Sequence, residues 1–223
     1  MCGRFVLTTE EFITLATRFM IENTLNDYAP SYNIAPTQNA LVIISQDGKN
    51  IASSFKWGLI PQWAKDMSMG AKMINARAET IDEKPSYKKV FFSRRCLVPT
   101  SGFYEWRTEG KSKIPYRIYL KETDVFSFAG IWETWLNQNN QPINTFSIIT
   151  SEANEIVKPV HDRMPVILTP EQENDWLHQL NIDKDYLKSF LKPYDSNKMD
   201  IYHVSALVNS PKNNIKELLN RIS

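Results

Sequence analysis

A cysteine at the second position of a chain has chemistry that no other cysteine has. The sequence opens Met1-Cys2-Gly3-Arg4-Phe5, and an initiator methionine is normally removed when the next residue is small. The processed chain then carries an α-amine and a thiol on adjacent carbons. A reference α-amine has a pKa of ~7.7–8.0, so part of it is free base near neutral pH, and a thiol at ~8.5 is a few per cent thiolate but intrinsically very nucleophilic. Such a 1,2-aminothiol condenses with an aldehyde to an imine and then closes a five-membered thiazolidine, which neither group does alone. With Met1 attached the amine is an amide and that route is closed. Gly3 lets the backbone approach a ligand closely. The plain structural alternative for Cys2 is a small buried residue near a terminus.

Other stretches place unusual residues where local structure does not call for them. Ile74-Asn75-Ala76-Arg77-Ala78-Glu79 alternates an amide, a guanidinium and a carboxylate, which share one face if the backbone is extended. Phe103-Tyr104-Glu105-Trp106-Arg107 sets a carboxylate among aromatics, and His161-Asp162-Arg163-Met164-Pro165 adds an imidazole and a guanidinium. Tyr32-Asn33-Ile34-Ala35-Pro36 and Trp57-Gly58-Leu59-Ile60-Pro61-Gln62-Trp63 are two further loop-like segments rich in such residues. Each has a structural reading too: aromatics in the core, Arg77 paired with Glu79, Asp162 paired with Arg163. Together they supply a nucleophile, an amide, an acid, an imidazole and several guanidiniums, which is the inventory of an active site.

With Cys2-Gly3-Arg4-Phe5, the Trp57–Trp63 loop, Asn75-Ala76-Arg77, Gly102–Trp106 and His161–Pro165 in that order, the chain resembles the SRAP (SOS-response-associated peptidase) family, proteins that shield abasic sites. The match runs from Cys2 to about Asn209. The resemblance implies one β-rich α+β domain with a positively charged channel, which binds single-stranded DNA at an abasic site and forms a covalent thiazolidine crosslink through the N-terminal cysteine. It assigns the chemistry to Cys2 as crosslinking residue, Asn75 as the amide that positions the terminus and the opened sugar, Glu105 as acid/base and His161 as its partner in proton transfer. It makes Arg4, Arg77 and Arg163 phosphate ligands, and Asn33, Pro36, Trp63 and Thr150 nearby channel residues. Some relatives carry a second aromatic beside Trp63 where this chain has Ala64.

The physics of the substrate agrees. An abasic deoxyribose is mostly a closed hemiacetal, so a site must move a proton to expose the aldehyde, a task for a carboxylic acid and an imidazole. Holding amine, thiol and aldehyde together makes ring closure intramolecular. Arginines position a strand through its phosphates without reading bases, and aromatics stack on bases. Two other readings stay open: a thiol autopeptidase or peptidase with Cys2 and His161 as its dyad, and a non-catalytic reader of single-stranded DNA.

The elements that must hold these residues are legible in outline. Phe12, Leu15, Ala16 and Phe19 follow Thr8-x-x-Glu11, which predicts a helix opened by a capping box. Leu41–Gln46 and Ile51–Trp57 flank Asp47-Gly48, a hairpin signal. Strands are expected over Cys96–Pro99, Gly102–Thr108, Pro115–Leu120, Val125–Trp132 and Ile143–Thr150, and short helices over Tyr87–Arg95, Thr169 to about Leu180, Asp185–Lys192 and Asn213–Arg221. The expected architecture is α+β: a single domain over residues 1–223, with a curved, barrel-like sheet flanked by short helices.

Composition narrows the classes. The chain has 223 residues, 42% hydrophobic and 23% charged, with 26 Lys+Arg against 25 Asp+Glu, the proportions of a globular protein. No apolar run approaches the ~20 residues of a membrane span. The first twenty residues show no secretory pattern, which predicts a cytoplasmic protein, nucleoid-associated when bound to DNA. Two cysteines without CxxC spacing and three histidines without HExxH spacing predict no metal site, and the absence of GxxxxGK[ST] and GxGxxG predicts no nucleotide cofactor. A monomer is expected. The net charge of +1 hides an asymmetry: between Lys84 and Arg117, nine Lys or Arg stand against Glu105 and Glu109, a surplus of seven. That segment is the expected phosphate footprint, with a solvated charged face as its alternative.

Overall fold

The computed structural model describes residues 2–178 and 183–222. In chain order the first elements are β1 (Phe5–Leu7), α1 (Phe12–Phe19), β2 (Ser31–Ile34), β3 (Asn39–Gln46), β4 (Lys49–Trp57), β5 (Asn75–Arg77) and α2 (Pro85–Ser93). Next come β6 (Arg95–Thr100), β7 (Gly102–Glu109), β8 (Ser112–Leu120), β9 (Phe126–Leu136) and β10 (Pro142–Glu152). The chain ends with β11 (Arg163–Pro165), β12 (Ile167–Leu168), α3 (Pro170–His178), α4 (Lys184–Phe190) and β13 (Met199–His203).

Strands β4, β3, β6, β9 and β10 pair in sequence, and the parallel β10–β4 ladder closes them into a five-stranded barrel. The β3–β4 hairpin turns at Asp47 and Gly48, whose φ values of 52° and 78° are the left-handed pair of a type I′ turn. A second sheet, ordered β13-β8-β7-β1-β2, packs beside the barrel. Phe5 on β1 is the pin between the two, with its ring centroid 5.1 Å from Trp57 and 6.0 Å from Phe128. Burying such a ring contributes about 1.5–3 kcal/mol, and it fixes the chain three residues beyond Cys2.

Several expected elements differ. The first helix starts at Phe12 with Glu11 at its N-cap and no side-chain cap bond, so the Thr8 capping box does not form. Strand β1 runs up to Leu7, and the Thr8 N–H is taken by Ser101 Oγ at 3.1 Å. The helix expected over Tyr87–Arg95 runs Pro85–Ser93, started by Pro85. Arg95 begins β6 instead, buried, donating to the carbonyls of Trp176 (2.6 Å), Phe92 (2.9 Å) and Phe91 (3.2 Å). At the chain's end Lys216–Leu219 forms only a 3₁₀ turn in place of the helix expected over Asn213–Arg221. Thr169 N–H does bond Gln172 Oε1 (3.0 Å), as a capping box requires. The expected end of that helix near Leu180 lies outside the described residues. Strands β1, β2, β5, β11 and β13 lie outside the expected strands; at three to five residues each they are too short to show a period.

Candidate active site

Three strand pairings bring the predicted residues together. In the antiparallel β1–β7 pair Phe5 faces Phe103 and Val6 faces Gly102; continuing that register sets Glu105 opposite Gly3, next to Cys2. Strand β10 is flanked by β5 in parallel, with Ile148 beside Asn75 and Thr150 beside Arg77, and by β11 antiparallel, with Glu152 beside Arg163. Asn75 Nδ2 donates to the Cys2 carbonyl at 2.9 Å, which ties the N-terminus to β5. Asn75 is itself clamped: Trp57 Nε1 donates to the Ile74 carbonyl (2.9 Å), and Tyr87 Oη donates to the Asn75 carbonyl (3.2 Å). Tyr87 is a supporting residue that its place in an amphipathic helix did not announce.

Arg163 joins the remaining parts through its main chain. His161 Nδ1 lies 3.0 Å from its N–H and 3.2 Å from its carbonyl. Asp162 Oδ1 lies 3.1 Å from the same Nδ1 and, with its side chain 86% exposed, meets it as an acceptor when the ring is charged. The Arg163 carbonyl lies 3.7 Å from Cys2 Sγ, within reach of the thiol proton. The other acceptor for that proton is the Glu105 carboxylate.

The electrostatics follow from burial. Cys2 is 2% exposed and Glu105 is likewise 2%. Burial, and then the charge of Glu105, pushes the Cys2 thiol well above its ordinary range, against a smaller pull from Arg163. Burial raises the Glu105 carboxyl, and the attraction of His161 and the contact with Cys2 only partly offset it. Glu105 Oε1 and Asn75 Oδ1 are both buried without a hydrogen-bond partner among the described residues. Leaving two buried acceptors unmet costs about 1–3 kcal/mol each, which marks the spot as one built for donors.

The other predicted residues divide. Thr150 is buried, and its carbonyl accepts from Arg163 Nη2 at 2.6 Å. The Arg163 fork grips Glu79 through both oxygens, at 2.8 and 2.9 Å, so the ion pair is Glu79–Arg163 and not the Asp162–Arg163 or Arg77–Glu79 pair of the structural reading. Arg77 is exposed at the end of β5. Arg4 and Asn33 form a cluster of their own: Arg4 Nη1 donates to Asn33 Oδ1 and to the Val208 carbonyl, both at 2.6 Å, and its guanidinium lies over Trp106. Asn33 Nδ2 donates to the carbonyls of Asn213 (2.7 Å) and Ser210 (3.0 Å), anchoring the C-terminal segment. Pro36 is half-buried, and Trp63 is 60% exposed on its loop. Ala64 is buried under Trp135, whose Nε1 donates to the Ala64 carbonyl at 2.8 Å, so the place beside Trp63 is filled by that ring.

The basic segment does not form one patch. Arg94 pairs with Glu133, Arg95 is interior, Arg107 pairs with Glu109, and Arg117 donates to Tyr202 Oη and the Ser101 carbonyl. Lys84, Lys88 and Lys89 are exposed on or beside α2, and Lys111 and Lys113 at the β7–β8 turn. Sequence charge overstated the footprint because its arginines are spent on internal carbonyls, carboxylates and hydroxyls. Among the described residues no three His, Cys, Asp or Glu side chains gather as a metal would need. None of the helices there is long and apolar enough to cross a membrane.

A closed barrel and companion sheet that hold the second residue of the chain between an amide and a buried carboxyl define a class of protein by geometry. The chain belongs to the SRAP family: the family model described as "SOS response associated peptidase (SRAP)" matches residues 1–211. It is 52% identical to the abasic site processing protein YoqW of Bacillus subtilis, over 98% of this chain and 99% of that one. It is 30% identical to the abasic site processing protein HMCES of Xenopus tropicalis, over 86% of this chain and 66% of that one. Among solved structures, a protein from Bacteroides thetaiotaomicron superposes with a TM-score of 0.88 at 34% identity, covering 98% of this chain and 100% of that one.

Proposed function

We propose that this protein recognises an abasic site in single-stranded DNA and traps it as a thiazolidine crosslink on Cys2, after Met1 has been removed, shielding the lesion. One observation carries the reading: Cys2, held by Asn75 and backed by Glu105, sits beside two buried acceptors, Asn75 Oδ1 and Glu105 Oε1, that lack donors among the described residues. A free α-amine and the hydroxyl of an opened sugar are donors of that kind.

The steps balance without redox or metal chemistry. Ring opening takes the proton from the anomeric hydroxyl and returns one to the ring oxygen, the work of Glu105 and His161. The Cys2 amine adds to the aldehyde carbon, and protonated Glu105 gives its proton to the departing hydroxyl, which leaves as water. The thiol then adds to the iminium carbon, and its proton returns to the Glu105 carboxylate. One water is lost, and Glu105 ends as it began. A raised Glu105 supports its role as the acid.

The raised Cys2 thiol argues against a peptidase, which needs a thiolate activated by a base. The deciding experiment mixes the purified protein with a strand carrying one abasic site. A heat-resistant shifted band on a denaturing gel, absent with Cys2→Ala, is expected. A band that persists in Cys2→Ala, or no band at all, overturns the proposal.

A further inference from the structure

The strands that carry Glu105 extend its face with side chains that the chemistry above does not use. Glu105 on β7 pairs with Tyr116 on β8, and Tyr116 pairs with His203 on β13. Residues paired across adjacent strands project from the same face, so the three form a row across the sheet. Arg107, two residues along β7, lies on that face too, with its guanidinium carbon 5.0 Å from the centre of the Tyr116 ring. The Tyr116 and His203 ring centroids are 5.8 Å apart at 38°.

The two faces of this sheet are treated differently. On the far face Tyr104 and Tyr202 are covered by the C-terminal segment, packed with Val204, Val208 and Leu218. Both of their hydroxyls are bonded there, Tyr104 to the Tyr32 carbonyl (3.1 Å) and Tyr202 to the Leu219 carbonyl (2.7 Å). On the Glu105 face the Tyr116 hydroxyl and the His203 imidazole have no hydrogen-bond partner among the described residues, and both rings are half-buried. Arg107 Nε is buried and equally unpartnered, while its Nη2 pairs with Glu109 toward the β7–β8 turn. A row of two unsatisfied rings and a guanidinium, continuous with a buried acid, suits a ligand with flat π faces, hydrogen-bonding edges and an anionic thread between them. A single strand of nucleic acid is such a ligand.

We propose that Tyr116 and His203 form a nucleobase platform, on which the base flanking the abasic site stacks, with Arg107 facing its phosphate. The proposal rests on the reading that Cys2 and Glu105 engage abasic single-stranded DNA, and it adds the neighbouring subsite.

Fluorescence anisotropy tests it, with a labelled single strand carrying one tetrahydrofuran residue. That analogue cannot open to an aldehyde, so binding is read apart from crosslinking. Tyr116→Leu and His203→Leu are expected to weaken binding about tenfold each, and Tyr116→Phe to stay close to wild type. On a second strand whose nucleotides on both sides of the lesion also lack bases, wild type is expected to fall to the level of the Leu variants, and the differences to vanish. Equal affinities of wild type and His203→Leu on the base-bearing strand overturn the platform, as does a loss that persists undiminished on the strand without flanking bases. If wild type binds the analogue in this pattern yet forms no crosslink with a true abasic strand, the platform stands and the Cys2 chemistry fails.

Discussion

Replacing Glu105 by Gln separates the acid from its surroundings. The main chain of Glu105 is held in the β7–β8 ladder opposite Tyr116, so the backbone has no reason to move. In the folded protein burial raises the Glu105 carboxyl above its ordinary value. The folded state therefore keeps a proton that the unfolded chain releases. Stability from this group is complete below about pH 4.3, the unfolded value, and is lost as pH rises from there through the folded value. Gln has no such step, and any fixed cost of burying its amide cancels when slopes are compared. Across that window wild type should lose up to about 1.4 kcal/mol per pH unit relative to Glu105→Gln, or roughly 3–6 °C in Tm for a chain of this size. The same substitution removes a general acid worth about 10²–10⁴ in rate, so single-turnover crosslinking should slow at least a hundredfold and lose the limb on which the rate falls with pH. Thermal melts from pH 4 to 8, with gel-based crosslinking rates at each pH, measure both. Superimposable Tm–pH curves, or an undiminished crosslinking rate, would refute the reasoning.

Other substitutions probe the supports. Asn75→Ala removes the 2.9 Å bond to the Cys2 carbonyl and should slow crosslinking about tenfold, the effect of about 1.4 kcal/mol of lost positioning, as timed by denaturing gel. Glu79→Gln frees the Arg163 fork from its bidentate partner; affinity for single-stranded DNA should rise, and the log–log salt slope should steepen by up to about 0.7, as one more phosphate contact becomes available. Asp82, bonded by Lys188 and Lys184, has its carboxyl lowered to about 2. Because its folded value is depressed, wild type should exceed Asp82→Asn in stability above about pH 4 and lose that advantage as pH falls toward 2. Denaturant titrations at pH 7 and pH 2.5 should show an advantage of about 1–2 kcal/mol at the former, discounted for the half-exposed Lys184.

How much of this was legible depended on how local the signal was. The β3–β4 hairpin was readable because Asp47-Gly48 is itself the turn, and the long middle strands because apolar runs there fill a barrel. Asn75, Glu105 and His161 stood out because, taken together, the polar residues of their segments supply the parts of an active site, and β5 is extended, the condition under which Asn75 and Arg77 share a face. What the sequence could not convey was pairing between distant segments. Glu79 reaches Arg163 across 84 positions, and Arg4 finds Asn33 and Val208. His203, which no motif explained, acquires a neighbour only through the β8–β13 register. Net charge misled for the same reason, since an arginine's partner is decided in three dimensions.

The central claim, that Cys2 closes a thiazolidine on an abasic sugar, is tested most directly by the intact mass of the adduct followed by peptide mapping. The expected adduct is the protein without Met1, plus the DNA strand, minus one water, formed without any reductant and mapped to Cys2. An adduct that appears only after borohydride trapping, or that maps to a lysine, would contradict it.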